Sequence, residues 1–305
     1  MLPTGKRRMI GPFCFFDHLS PVDLPQGLAR EADVLPHPHI GLSTVTYLFA
    51  GEIMHRDSIG MERPIRPGEM NWMVAGSGIT HSERFERARL EGGPIHAIQT
   101  WAALPDGEEE TDPAFAHHDG EDLPIHTDGG VWLRLLAGEV FGLRAAVKTH
   151  SPLFYVHVAL QAGSRIALPH EHKQRGAFLV SGAAEADGQS LKATQLVVFS
   201  PSAEAVVEAT APTVLMLLGG APIGERFIEW NFVSSSHERI AQAKADWRAG
   251  RIKLPDLDNK EFVPACRSVS NCSGDVLKKC PQLDFRMNLS TNSYAKCCKQ
   301  SQTWK

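Results

Sequence analysis

From about residue 40 onwards the chain is a series of short apolar runs separated by glycine and proline. STVTYLFAGEI (43–53), MNWMVAG (70–76), HAIQTWAAL (96–104), VWLRLLAGEV (131–140), LFYVHVAL (153–160), GAFLVSG (176–182), LVVFS (196–200) and TVLMLLGG (213–220) are five to eleven residues long. They are rich in β-branched and aromatic side chains. Runs of this length with turn signals between them suit strands, and so many in series predict an all-β sandwich or barrel. The interval 105–130, PDGEEETDPAFAHHDGEDLPIHTDGG, is acidic and rich in Pro and Gly and reads as a connecting loop. The strand pattern resumes at Val131, so two β domains are expected, residues 1–125 and 126–264.

One stretch has a different period. In SSSHERIAQAKADWRAGR (234–251), Ile240, Ala243 and Trp247 share one helical face. Ser235 and Glu238 have capping-box spacing, and Gly250 can take the left-handed position past the last turn. This predicts a C-terminal helix, expected to pack on the second β domain. Residues 265–305 lack sustained apolar periodicity and read as a disordered tail. Five of the six cysteines (Cys266, Cys272, Cys280, Cys297 and Cys298) fall there, with no histidine among them and no CxxC pair, so a zinc site is weakly supported. Asn271 and Asn288 begin N-x-S triplets, which matter only on a secretory route.

Composition narrows the class. The chain has 305 residues, 43% hydrophobic and 22% charged, enough apolar material for large cores. A formal net charge of −4 gives no footprint for direct nucleic-acid binding or an acidic membrane. The start, MLPTGKRRMIGPF, has no apolar signal core behind its basic residues, and no run reaches the roughly 18 apolar residues of a membrane helix. A body whose only cysteine is Cys14 suits a reducing compartment. The expectation is a cytoplasmic monomer, with the nucleus open for a eukaryotic source.

Candidate chemistry lies in two segments, PHPHIGL (36–42) and GITHSER (78–84). Residues i and i+2 of a strand share a face, so His37 projects with His39 and His81 with Glu83. On neighbouring strands the four side chains would converge on a point able to hold an ion. Pro36 and Pro38 remove amide donors, which suits a sheet edge. With 14 histidines in the chain, one i,i+2 pair is weak evidence. A second pair carrying a carboxylate favours a metal site over four unrelated polar residues.

The ordered motifs PHPHIGLSTVTYLFAGEIMHRDSIG, IRPGEMNWMVAGSGITHSER, GGPIHAIQTW and GERFIEWNFVSSSHERIAQAKADWRAGR resemble the pirins, members of the cupin superfamily, from about Arg8 to Pro264. The resemblance implies two jelly-roll β-barrel domains packed face to face. It also implies one Fe(II) in the N-terminal barrel, held by His37, His39, His81 and Glu83. Most cupins carry the glutamate a few residues after HxH, where this chain has Ser43 and Thr44; its displacement to Glu83 is the pirin arrangement. The same ligand set accepts Mn, Cu, Ni or Co.

Some pirins resemble quercetin 2,3-dioxygenases, which implies a flavonol-like substrate and O₂, with Glu83 as ligand and acceptor of the 3-hydroxyl proton. Trp72, Met73, Gln99 and Trp101 sit on strands expected to line the same barrel and are candidates for that pocket, although Trp and Met on strands are more often core. The rival expectation is an iron-dependent, redox-sensitive regulator that binds transcription factors or other proteins without turnover. HRD at 55–57 echoes a kinase loop without its companion motifs. HEH at 170–172 sits where a second cupin motif would, but 191–220 holds no histidine to complete it.

Overall fold

The structure, a computed structural model, describes residues 2–3 and 8–265. Apart from Ala265, the tail read at 265–305 lies outside the described residues, and all five of its cysteines with it. The first barrel is built from β1 (Phe13–Leu24), β2 (Val34–His39), β3 (Leu42–Ala50), β4 (Ile53–Asp57), β5 (Glu62–Ile65), β6 (Met70–Val74), β7 (Ile79–Arg84), β8 (Gly93–Ala103) and β9 (Ala114–His118), with one short helix, α1 (Glu86–Glu91). One sheet has the order β1-β8-β3-β6-β9 and the facing sheet β2-β7-β4-β5. Strand β6 is buried along its whole length. Its two faces meet different partners, the barrel interior and the second domain, which explains the near-continuous apolar sequence of MNWMVAG.

The second barrel comprises β10 (Ile125–Asp128), β11 (Val131–Val140), β12 (Leu143–Arg144), β13 (Leu153–Leu160), β14 (Arg165–Ala167), β15 (Gln174–Ser181), β16 (Ala184–Ala186), β17 (Gln189–Leu191), β18 (Leu196–Phe199), β19 (Val206–Ala209) and β20 (Thr213–Gly220). Its larger sheet runs β10-β11-β13-β20-β15-β18 and packs on the larger sheet of the first barrel. Phe16 meets Phe178 with ring centroids 4.8 Å apart, and Phe13 meets Tyr155 at 5.7 Å. The Tyr47 hydroxyl and Nδ1 of His157 share a hydrogen bond of 2.8 Å across the same interface. The fold is all-β, with two barrels face to face and a C-terminal helix. No helix among the described residues is long and apolar enough to cross a membrane.

Three details depart from the sequence reading. The acidic interval 105–130 is more than a connector: β9 lies inside it and extends the first sheet beside β6. The helix α2 (His237–Arg248) packs on the first barrel, not the second, because the chain leaves β20 and crosses back. There β21 (Phe227–Glu229) and β22 (Phe232–Ser234) precede it, and Ile240, Ala243 and Trp247 bury their face with Phe232 against Ile40. The cap also moves by one residue. The Ser236 hydroxyl, not that of Ser235, accepts from the Arg239 amide at 3.2 Å, while the Ser235 amide donates to Glu109. Gly250 takes its left-handed turn at φ 66°.

Candidate metal centre

Strands β2 and β7 are antiparallel neighbours, and His37 stands directly opposite His81. β2 is an edge strand, so the amide donors missing at Pro36 and Pro38 cost few ladder bonds. The imidazole centroids of His37, His39 and His81 lie 4.4–5.1 Å apart. Each ring brings a nitrogen within 4.8 Å of the others. All three residues are buried, the most exposed being His37 at 7%.

Hydrogen bonds set which nitrogen each ring presents. His37 Nδ1 donates to the carbonyl oxygen of Leu35 at 2.8 Å, and His39 Nδ1 to that of Asn231 at 3.1 Å. A carbonyl only accepts, so in both rings the proton sits on Nδ1 and Nε2 carries a bare lone pair. Burial pushes the pKa of His37 down to about 4 and those of His39 and His81 well below the usual imidazole range. Neutral imidazoles with converging lone pairs are what a late first-row divalent metal requires, and the donor set fits such an ion.

Glu83 stands apart from this trio. It faces the same side of β7 as His81, opposite Val34 on β2 and His55 on β4, and so lies one step further along. Its Oε1 accepts from Gln99 Nε2 at 2.8 Å and Thr46 Oγ1 at 3.4 Å. Desolvation pushes its pKa up to about 7, against the pull of those two donors. Beside it is a cavity of about 10 Å³, lined by Asp17, Thr46, Glu83 and Gln99 among others, room for about one water. The four-way convergence expected from sequence is therefore a group of three with a carboxylate alongside.

The pocket expectation divides by strand alternation. Gln99 and Trp101 share a face of β8; Gln99 holds Glu83, and Trp101 sets its ring edge against His39 at 5.2 Å. Met73 lies in the apolar cluster around Trp101. Trp72 points the other way, into the core between the barrels, so it does not line the site. In the second barrel, His170 is exposed and His172 packs on Phe154 at 5.0 Å.

Two residues at the site were passed over in the sequence. His55 and Asp57 lie at i and i+2 of β4, both buried, with His55 beside His81. Their i, i+2 spacing repeats that of HPH, and this is the sequence signal that marks them. On the outer face of β7, Arg84 donates to both carboxylate oxygens of Asp258 at 2.7 Å and to Asp33 at 3.4 Å. The Ser82 hydroxyl donates to Asp258 at 2.6 Å. The strand carrying His81 and Glu83 inwards thus clasps the C-terminal segment outwards.

The family profile described as Pirin matches residues 1–102, and that described as Pirin C-terminal cupin domain matches residues 155–253. A pirin-like protein of Caulobacter vibrioides is 55% identical over 87% of this chain and 92% of its own length. A Pseudomonas aeruginosa protein provisionally named as a quercetin 2,3-dioxygenase is 38% identical over 86% of this chain and 82% of its own. Among solved structures, quercetin 2,3-dioxygenase from Acinetobacter baumannii superposes with a TM-score of 0.78 at 33% identity, covering 88% of each chain.

Proposed function

The chain belongs to the pirin family, and on that premise we propose that it is a metal-dependent dioxygenase of the quercetin 2,3-dioxygenase type, opening a flavonol-like substrate with O₂. The observation that carries the reading is the buried trio of neutral imidazoles, His37, His39 and His81, with the Glu83 carboxylate alongside. Fe(II) is the proposed occupant, one per chain, with Glu83 completing the ligand set on loading. When bound, the metal acidifies a substrate hydroxyl and engages O₂.

This chain's residues supply the rest. His37 and His39 are held in one tautomer by Leu35 and Asn231, so binding a metal requires no proton rearrangement in either ring. Gln99 and Thr46 both address Oε1 of Glu83, which leaves Oε2 as the oxygen to accept the 3-hydroxyl proton. Trp101 and Met73 supply an apolar wall. The similarity to the named dioxygenases supports the substrate class.

One observation favours the alternative, a redox-sensitive metalloprotein that acts on protein partners without turnover. The void beside Glu83 is about 10 Å³, so a flavonol enters only if side chains at the rim move aside. The test is direct. Iron-loaded protein is mixed with quercetin under air, following flavonol absorbance and release of CO. Loss of absorbance with CO supports the dioxygenase; loaded protein with neither supports the alternative.

A further inference from the structure

The third imidazole of the trio, His81, has no carbonyl on its Nδ1. It has two nitrogen neighbours instead: His39 Nε2 lies 3.1 Å from its Nε2, and His55 Nδ1 lies 3.4 Å from its Nδ1. A neutral His81 carries a single proton. Shared with His39, that proton occupies the nitrogen a metal needs; donated to His55, it leaves Nε2 bare.

His55 can accept it only if its own proton is elsewhere. Its Nε2 lies 3.1 Å from Oδ2 of Asp57. The other carboxylate oxygen of Asp57 accepts the amides of Ile59 and Met61, at 3.1 and 2.9 Å. The carboxylate is thus fixed in place and takes the Nε2 proton of His55, leaving His55 Nδ1 as an acceptor aimed at His81. Phe115 stacks on the His55 ring at 4.6 Å between centroids and fixes its plane. His55 and Asp57 are 4% and 1% exposed, so water does not readily substitute for either.

We propose that Asp57 and His55 are positioning residues that seat the His81 proton on Nδ1 and so hold its Nε2 open to the metal. All three imidazoles of the trio then have their Nδ1 protons tied to an acceptor: Leu35, Asn231 and His55 in turn. Without His55, metal binding would leave a buried N–H with no partner, which weakens binding. The inference rests on the trio being a metal site.

The test uses two variants of the full chain. His55→Phe keeps a ring against Phe115 and removes both nitrogens. Asp57→Asn is sharper. Its carbonyl can still accept the Ile59 and Met61 amides, so the turn survives, but its NH₂ now faces His55 Nε2. That reverses the His55 tautomer, points an N–H at His81 Nδ1 and drives the His81 proton onto Nε2. Zn(II) affinity is measured by chelator competition, and the histidine tautomers by ¹⁵N NMR on the zinc-loaded wild type.

Both variants should bind Zn(II) about 10–100-fold more weakly, and wild-type His55 should show a protonated Nε2 with a bare Nδ1. Affinity within twofold of wild type in both variants, or the opposite tautomer of His55, overturns the relay and leaves the metal site standing. A wild type that takes up no zinc, like a His81→Ala control, overturns the metal reading and the relay with it.

Discussion

His39 Nδ1 lies 3.1 Å from the carbonyl oxygen of Asn231, 192 residues later in the chain. The candidate ligand sits in the first barrel, and the group that orients it arrives on the turn between β21 and β22. His39→Ala should abolish tight metal binding while leaving the barrels folded, because neither large core depends on that imidazole. Elemental analysis of purified protein beside its circular dichroism checks this; equal metal content in mutant and wild type would remove His39 from the ligand set.

Gly41 closes the same contact from the other side. Its φ is 66°, and a Cβ there would overlap the carbonyl oxygen of Val233 on β22. Gly41→Ala is strained by both backbone and neighbour, and should cost more than about 1 kcal/mol. It should also weaken metal binding, since β22 must back away and carry Asn231 with it. Urea midpoint and zinc affinity should fall together; loss of stability alone would mean that the Asn231 carbonyl does not support His39.

Arg84 joins the metal strand to the C-terminal segment. It is 3% exposed and faces Asp33, whose side chain is wholly buried, as well as Asp258 and Glu261. Arg84→Met leaves Asp258 without its cation, while Asp33 keeps Arg89 at 2.8 Å, and breaking such a buried pair costs about 3–5 kcal/mol. Chemical denaturation should register the loss. A change under about 1 kcal/mol, the range of exposed pairs, would show that water reaches the cluster.

His157, at the interface between the barrels, gives the acid dependence a specific source. Burial, with Arg134 and His96 adding to it, lowers its pKa from 6.5 to about 3. Between those values the unfolded chain binds a proton that the folded chain does not, so stability rises with pH across this window and falls on acidification. The contribution is about 1.4 kcal/mol per pH unit for one proton. His157→Asn keeps a hydrogen-bonding group for the Tyr47 hydroxyl but does not titrate. Its unfolding free energy between pH 6 and 4 should slope less steeply than wild type by about one proton; identical slopes would place the acid sensitivity elsewhere.

Glu83→Gln separates ligand from base. The amide is nearly isosteric and its oxygen can still coordinate weakly, but it cannot accept the 3-hydroxyl proton. Turnover of quercetin per bound metal should drop about 10²–10⁴-fold, well beyond any fall in occupancy. Unchanged turnover per metal would make Glu83 a ligand alone.

Alternation along a strand is a local property, so much of the site could be read from the chain by itself. His37 with His39, and His81 with Glu83, follow from the two-residue period, as does the placing of the proline-rich segment at an edge. The all-β class follows from run length and turn residues, and the buried face of α2 from its 3.6-residue period. What local period cannot encode is which surfaces meet. That α2 covers Ile40, that Trp72 faces the second barrel, and that Asn231 supplies a carbonyl to His39 are all decided by how distant strands pack. The helix cap shows the same limit at short range. Three serines offered a cap, and Ser236 became the one used while Glu109, over a hundred residues earlier, held the Ser235 amide. The grouping of three imidazoles with Glu83 set alongside is decided in the same way. Gln99 and Thr46, on strands of the opposite sheet, draw the carboxylate towards themselves, and only closure of the barrel brings them within hydrogen-bonding distance.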